Sequence, residues 1–240
     1  MNLWLIATVT AYFIKGLCGF ANTLVFTSVL SFRESNAAIS PVDLLLGYPM
    51  NLILAWKSRK SLDPKIYVPL AMLVLIGSIP GAFLLKNVDV GAIKLIFGLV
   101  VIAFGTGMLS QEDNKKDPFF SKKVLAMIGV LAGVVCGLFG VGALLAVYVG
   151  RVTETSDSFK VNISMVFIVE NTFRIILYGI LNLLTTDTVN SALLLTPFAL
   201  LGLFTGVKCS DFLNEKLVRK FTSMLLLLSG IALILKNLLI

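Results

Sequence analysis

The stretch Gly16-Leu17-Cys18-Gly19-Phe20-Ala21-Asn22 interrupts the first apolar segment of the chain, residues 2–32. A second stretch, Gly137-Leu138-Phe139-Gly140-Val141-Gly142-Ala143, interrupts the apolar segment 124–150 in the same way. Each segment is longer than the roughly 20 residues that one membrane-spanning helix needs. Glycine readily adopts the backbone angles that end a helix. The two stretches therefore predict helix breaks within a membrane, one in each half of the chain.

The composition of the chain also favours lipid as its surroundings. Of its 240 residues, 58% are hydrophobic and only 14% are charged, whereas about 25% of the residues in soluble domains are charged. Further apolar segments of roughly spanning length are 41–57, 66–85, 92–109, 160–181, 188–207 and 217–236. The sequence thus predicts an all-α polytopic membrane protein with eight hydrophobic segments.

The two halves of the chain, residues 1–110 and 124–240, share a pattern of residues across the polar linker 111–123. The matching pairs are Gly16/Gly137 and Gly19/Gly140 at an offset of 121, Asn51/Asn171 at 120, and Gly77/Gly202, Gly81/Gly206, Lys94/Arg219 and Gly105/Gly230 at 125. Because the pairs follow one another in chain order, we expect a duplication. Each repeat would hold one broken helix and three transmembrane helices.

Two topologies are compatible with this repeat. If both broken segments cross the membrane, the halves have the same orientation and each side receives nine Lys and Arg residues. If each is a re-entrant hairpin of two half-helices, each about 12 residues long and rising about 18 Å, the second half is inverted. The split of basic residues is then 14 to 4, with only Arg33, Lys86, Lys94 and Lys236 on the poorer side. The positive-inside rule favours the inverted repeat, with both termini outside.

The helix breaks are also the first candidates for a binding site. A half-helix that begins at mid-membrane presents free N–H groups and the positive end of its dipole, which together suit an anion. The candidate anion-binding residues at the breaks are Gly19, Phe20, Ala21, Asn22, Thr23, Gly140, Val141, Gly142 and Ala143. The alternative is that the glycines only allow close helix packing, which is the favoured interpretation of Gly77, Gly81, Gly202 and Gly206.

Charged and amide side chains inside the apolar segments extend the candidate site. Glu170 and Arg174 are four residues apart and share a helix face. Arg174 could hold the anion and Glu170 could carry a coupling proton, or the two could form a neutralised structural pair. Asn51 and Asn171 are predicted to line a cavity. Lys15 could face the anion or snorkel to the membrane surface, and the inverted repeat favours a deep position that faces the anion.

Several function classes are excluded or disfavoured by the sequence. The chain has no histidine, so most zinc sites and His-dependent catalytic triads are unavailable, and no phosphate-binding G-x-x-x-x-G-K-[ST] motif occurs. We therefore expect no enzyme activity, metal or cofactor. The basic residues lie in short links between apolar segments, so nucleic acid is not an expected partner. Cys18, Cys136 and Cys209 show no disulfide spacing; Cys18 and Cys136 flank the breaks, where a small apolar role is favoured over contact with a sulfur-containing substrate.

The two break motifs, Gly16-Leu17-Cys18-Gly19-Phe20-Ala21 and Gly137-Leu138-Phe139-Gly140-Val141-Gly142-Ala143-Leu144, resemble those of the sulfite exporter TauE/SafE family of membrane permeases. The resemblance covers the whole chain, including the duplication and the linker. It implies a multi-pass protein of a bacterial-type plasma membrane that transports sulfite, organosulfonates or other small anions. We expect a secondary transporter driven by protons or the membrane potential. The alternatives are an anion or solute channel and a membrane scaffold without transport. The oligomeric state stays open.

Overall fold

The computed structural model describes residues 2–30, 33–84, 122–139 and 142–213, and the isolated positions 99, 102, 106, 217, 220, 221, 223, 224, 227, 228, 231, 232, 234 and 235. The predicted segments 92–109 and 217–236 lie outside the described residues apart from these isolated positions. Most of the linker 111–123, and both Gly140 and Val141, also lie outside them. Within the described part, the regular structure is helical and contains no strand.

Eight α-helices make up the described ranges. They are α1 (Asn2–Cys18), α2 (Asn22–Leu30), α3 (Asn36–Lys57), α4 (Pro64–Leu84), α5 (Lys122–Phe139), α6 (Ala143–Val152), α7 (Ser156–Ile180) and α8 (Thr186–Phe212), with a 3-10 turn at Arg59–Ser61. Three helical stretches among the described residues are long and apolar enough to cross a membrane, namely Ala38–Lys57, Ser156–Ile180 and Thr186–Phe212. Asn2–Cys18 and Pro64–Pro80 are shorter apolar helices. The described part of the protein is thus all-helical, as predicted, with helices suited to a membrane.

The first glycine break separates α1 from α2. Gly19 and Ala21 both adopt left-handed backbone angles, with φ of 87° and 73°, which an α-helix cannot contain. Beyond the break α2 runs back along α1, since Trp4 packs on Phe26 with ring centroids 5.8 Å apart, whereas Lys15 bonds to Asn22. The two helices therefore form a hairpin.

The expected half-helices of about 12 residues are wrong in length. α1 has 17 residues and α2 has 9, and α5 and α6 have 18 and 10. In the first hairpin the reason is that Gly16 does not end the helix. It lies against the backbone of α8, where a Cβ would overlap the carbonyl of Leu203. The helix ends only at the left-handed Gly19.

The contacts also define the directions of the longer helices. α3 runs parallel to α1, because Trp4 bonds to Glu34 and Tyr12 bonds to Asp43. α7 runs antiparallel to α3. Near the end of α7, Arg174 Nη2 donates to Ser40 Oγ, at the start of α3, at 2.9 Å. Near the start of α7, Asp157 Oδ1 accepts from Ser58 Oγ, just after the end of α3, at 3.3 Å.

Buried apolar side chains form two clusters. The first, which we call cluster A, joins α1, α2, α3 and α8. The second, cluster B, joins α4, α5, α6 and α7 and also takes in residues of the first break, among them Phe20 and Leu24. Each cluster thus combines the two helices that flank one break, and the helix after them, with a helix from the other half of the chain.

Glycines bring α8 against α1 and α4 against α5. A Cβ on Gly202 would lie 2.5 Å from the carbonyl oxygen of Val9 and 3.0 Å from the nitrogen of Phe13, and one on Gly206 would overlap the carbonyl of Phe13. A Cβ on Gly77 would meet Val130 and Val134 in the same way. The packing interpretation is thereby confirmed at Gly77, Gly202 and Gly206. Val130 and Val134 correspond to Val9 and Phe13 at the offset of 121.

Candidate functional site

A small polar cavity lies between clusters A and B, beside the first helix break. Its volume is about 20 Å³, the space that about one water molecule needs. Its polar lining residues are Lys15, Asn22, Thr23, Asp43, Asn51, Asn171 and Arg174, and Leu44, Gly47 and Phe167 complete the wall. The first group comes from α1, α2 and α3 on one side and from α7 on the other.

Lys15 contributes a buried ammonium group to this cavity. It lies in the last turn of α1 with 1% of its surface exposed. A cation is favourable there because the carbonyl end of a helix carries partial negative charge. Its Nζ donates to Asn22 Oδ1 at 2.9 Å and lies 5.3 Å from the centroid of the Phe167 ring. The lysine therefore lies deep, as predicted, because the hairpin and α7 close over it.

Asp43 is the polar residue that sequence reasoning missed. Both of its carboxylate oxygens accept side-chain hydrogen bonds, Oδ1 from Tyr12 and Asn22 at 3.1 Å each and Oδ2 from Thr23 at 2.5 Å. A charge inside a predicted span is a signal of function, but Asp43 stands at the third position of the predicted segment 41–57. Because α3 begins at Asn36, Asp43 lies two turns inside the helix.

Asn51 and Asn171 both line the cavity, as predicted. Asn51 is 2% exposed and Asn171 is 8% exposed. The Oδ1 atom of Asn51 is buried and accepts no hydrogen bond from the described residues. Gly47 keeps this part of the cavity open, since a Cβ there would lie 3.6 Å from Asn22 Nδ2 and 3.9 Å from Asn171 Nδ2. Asn51 therefore brings a buried, unsatisfied acceptor to the residues that line the cavity.

Glu170 and Arg174 form the predicted pair on α7. Arg174 Nε lies 3.6 Å from Glu170 Oε1, and the two side chains are 7% and 2% exposed. Arg174 Nη2 also donates to Ser40 at 2.9 Å and to the Tyr178 hydroxyl at 2.8 Å. Arg174 lines the cavity, whereas Glu170 lies outside its lining.

The other predicted site residues at the breaks do not line this cavity. Phe20 is fully buried in cluster B, and its ring packs on Phe159 at 6.0 Å between centroids. A Cβ on Gly19 would lie 2.9 Å from Cγ of Lys160, and Ala21 continues the turn into α2. The break bends the chain so that its apolar side chains pack into cluster B, away from the cavity. Only the first residues of α2, Asn22 and Thr23, reach the cavity.

The second break contributes no described lining residue. A Cβ on Gly142 would overlap the ring of Phe167, so that glycine makes room for an aromatic side chain. Gly140 and Val141 lie outside the described residues, as does the side chain of Ala143 at the start of α6. The expected site between two facing helix N-termini is therefore visible at one terminus only. There, Asn22 and Thr23 direct their side chains to Asp43.

The cavity presents two cations and one carboxylate. Lys15 comes from α1 and Arg174 from α7, and Asp43 is held between donors of α1 and α2. Among the described residues there is no group of three or more His, Cys, Asp or Glu side chains that could hold a metal ion. The arrangement is suited to small polar ligands that accept hydrogen bonds.

Comparison with known proteins agrees with the sequence motifs. The family model for sulfite exporter TauE/SafE matches residues 4–233. Neither the search of curated proteins nor the search of solved structures returns a match. The family match spans both breaks, the linker and every lining residue of the cavity, and the chain therefore belongs to the sulfite exporter TauE/SafE family.

Proposed function

We propose that this protein is a secondary transporter of a small anion, either a sulfur-containing oxyanion, an organosulfonate or a small carboxylate. Membership in the family indicates a membrane transporter of sulfite or a similar anion. The observation that carries the proposal is that two buried cationic side chains, Lys15 of α1 and Arg174 of α7, meet at one cavity. The cavity beside the α1–α2 break is the proposed binding site.

The unused hydrogen-bond donors of Lys15 support an anionic substrate. A lysine or arginine at the centre of a bilayer costs roughly 2.5–3.5 kcal/mol even on insertion scales, and Asp43 and Glu170 offset the two positive charges without using every donor. Among the described residues, the ammonium of Lys15 donates one hydrogen bond, to Asn22, of the three that it can donate. The donors that remain are suited to the oxygens of an incoming anion.

The size of the cavity supports a carrier rather than an open channel. A space of about 20 Å³ holds about one water molecule, which is less than a sulfur oxyanion needs. In this conformation the site is closed, so substrate entry requires clusters A and B to separate on one side. We infer that the two clusters rock against each other around the cavity, as inverted-repeat transporters do.

The directions of the helices support the inverted repeat. α1 and α2 form a hairpin, and α3 and α7, which are equivalent in the two halves, run antiparallel. Lys57, Arg59 and Lys60 lie at the same end of the bundle as Lys160, because Lys57 bonds to Asp211 and Lys160 bonds to Ser210. These four residues belong to the 14 Lys and Arg residues that the inverted topology assigns to one side of the membrane. The proposal places both termini on the opposite side, outside the cell membrane.

Glu170 is the proposed site of proton coupling in this scheme. Its carboxylate faces Arg174 at 3.6 Å, so protonation would leave the guanidinium free to attract the substrate. A proton gradient would then favour loading on one side of the membrane.

Flux measurements in proteoliposomes test the proposed function. We expect saturable, proton-gradient-dependent flux of at least one anion among sulfite, thiosulfate, methanesulfonate and acetate. Lys15→Gln should lower that flux by about tenfold or more, since a charge-assisted hydrogen bond to the anion is lost. Lys65→Gln, at an exposed position, is the matched control and should transport normally.

Two outcomes would contradict the proposal. Flux of none of these anions above that of empty liposomes would rule out the proposed substrate class. A current that rises linearly with voltage and does not saturate with concentration would show a channel.

A further inference from the structure

We propose that Asp43 is a built-in anion that occupies the substrate's place in the empty site, and that a substrate anion binds only when Asp43 takes up a proton. This inference rests on the proposed anion transport, and it puts Asp43 in place of Glu170 as the residue that takes up the coupled proton. It concerns a residue that neither the helix breaks nor the Glu170–Arg174 pair includes.

Side-chain hydrogen-bond donors surround the carboxylate of Asp43. Asp43 accepts from the Tyr12 hydroxyl, from Asn22 Nδ2 and from Thr23 Oγ1. Asn22 and Thr23 are the first two residues of α2, where the partial positive charge of the helix also favours an anion. The donors at this helix terminus are therefore already satisfied by a carboxylate of the protein.

A substrate anion and Asp43 would share one small space. Both would lie in a cavity of about 20 Å³ in its closed form. Two negative charges a few ångströms apart cannot both remain ionised without strong repulsion, which is how paired carboxylates come to hold a proton. A bound anion therefore raises the tendency of Asp43 to take up a proton, and protonation favours binding of the anion.

The charged groups around Asp43 are compatible with replacement of its negative charge by that of a substrate anion. α1 supplies Tyr12 and Lys15, with the ammonium linked to the carboxylate through Asn22. α7 supplies Arg174, whose charge is balanced by Glu170. In the empty site Asp43 offsets the charge of Lys15. When Asp43 is neutral, a monovalent substrate restores the same balance, so one proton and one anion enter together without adding net charge.

An unpartnered acceptor supports a protonated form of Asp43. Asn51 Oδ1 is buried at the cavity and accepts no hydrogen bond from the described residues. A carboxylate only accepts hydrogen bonds, whereas a neutral carboxyl also donates one. Asn51 Oδ1 is an acceptor at the cavity for the hydrogen bond that protonated Asp43 would donate. The Tyr12, Asn22 and Thr23 donors then become available to the substrate.

The test uses the full-length protein purified in detergent and methanesulfonate as the probe, because methanesulfonate is a monovalent anion that stays fully ionised around neutral pH. Its affinity is measured by calorimetry across a pH series, and proton uptake is measured in weakly buffered solution with an indicator dye. In the wild type we expect uptake of about one proton per bound anion. The affinity should fall about tenfold per pH unit on the alkaline side, which is the slope for one linked proton.

Asp43→Asn should bind methanesulfonate with no dependence on pH and without proton uptake. Asp187→Asn, at an exposed position in the first turn of α8, is the matched control and should behave as the wild type. Tyr12→Phe is a second variant for the case that Asp43→Asn does not fold. Tyr12→Phe removes one hydrogen-bond donor to the Asp43 carboxylate. The pH dependence of its anion affinity should therefore shift to higher pH.

The outcomes separate the two proposals. If wild-type protein binds neither methanesulfonate nor any other anion of the panel, the proposed function fails and this inference fails with it. If it binds methanesulfonate and Asp43→Asn or Tyr12→Phe retains the wild-type pH profile, the role of Asp43 is overturned while anion binding stands. Loss of proton uptake in Glu170→Gln alone would assign the proton to Glu170 instead.

Discussion

Four charged side chains are buried around the cavity, and they are stabilised in two ways. Asp43 is held by three neutral donors and reaches Lys15 only through Asn22. Glu170 and Arg174 face each other directly at 3.6 Å. In a medium of low polarity, removing one member of a direct pair leaves the other charge without compensation. The two arrangements should therefore respond differently to single substitutions.

The Glu170–Arg174 pair gives a prediction about stability. Glu170→Gln and Arg174→Gln should each lower the free energy of unfolding by about 3–5 kcal/mol, the range for breaking a buried ion pair. The double variant should recover part of this loss, because neither charge is then left alone. Recovery stays partial, since Arg174 also donates to Ser40 and Tyr178.

The measurement is equilibrium unfolding in detergent of the two single variants and the double variant. Glu154→Gln, at an exposed position, is the matched control and should change stability little. Losses that simply add in the double variant would show that the two side chains do not stabilise each other.

At the scale of elements, the glycines perform two distinct tasks. Gly19 ends α1 by adopting a left-handed conformation, whereas Gly16, Gly202 and Gly206 bring α1 and α8 into backbone contact. Glycines of both kinds stand within one motif, since Gly16 and Gly19 are three residues apart. Because the helix continues past Gly16 and ends only at Gly19, α1 is longer than α2.

Close packing of α8 on α1 predicts a clear difference between two glycines. Gly206→Ala should destabilise the protein by about 1–3 kcal/mol, the usual effect of overpacking, because the new Cβ would overlap the Phe13 carbonyl and the backbone cannot turn aside. Gly179→Ala should be neutral or stabilising, since nothing lies within 4 Å of its Cβ position. Thermal unfolding in detergent measures both, and equal melting temperatures would contradict the packing of α1 on α8.

At the scale of the whole molecule, the two apolar clusters do not coincide with the two halves of the chain. α8 packs in cluster A with α1, α2 and α3, and α4 packs in cluster B with α5, α6 and α7. The polar cavity lies where the clusters meet. Any movement of one cluster against the other must therefore change the cavity, as alternating access requires.

The proposed topology predicts which positions label from the same side. With the native cysteines replaced by alanine, single cysteines at Asn2 and Ser35 should react with an impermeant maleimide from one side of the membrane, because α1 and α2 form a hairpin. A cysteine at Lys60 should react from the other side, because α3 crosses between Ser35 and Lys60. All three positions are exposed.

The eight-span alternative predicts a different result in intact cells and inverted vesicles. If the first broken segment crosses the membrane, Asn2 and Lys60 share a side and Ser35 lies opposite. That pattern would overturn the hairpin topology, and the Lys60 cysteine serves as the internal reference in both cases.

The sequence by itself determined the class of protein, the helix breaks and much of the polar lining of the cavity. These features depend on local chemistry: apolar length selects lipid, glycine permits a left-handed turn, and a charge or amide within a span is too costly to face lipid. Lys15, Asn22, Thr23, Asn51, Asn171 and Arg174 were predictable for this reason. The match to the family follows from the same motifs.

Only the tertiary structure decided which of the break residues face the cavity and what they bind there. Phe20 and Gly142 belong to apolar packing, because their neighbours Phe159 and Phe167 come from α7, far away in the chain. Asp43 joins the site because α2 folds back along α1 and brings its donors to α3. Such contacts depend on the arrangement of helices in space, which local patterns of apolar and glycine residues do not encode.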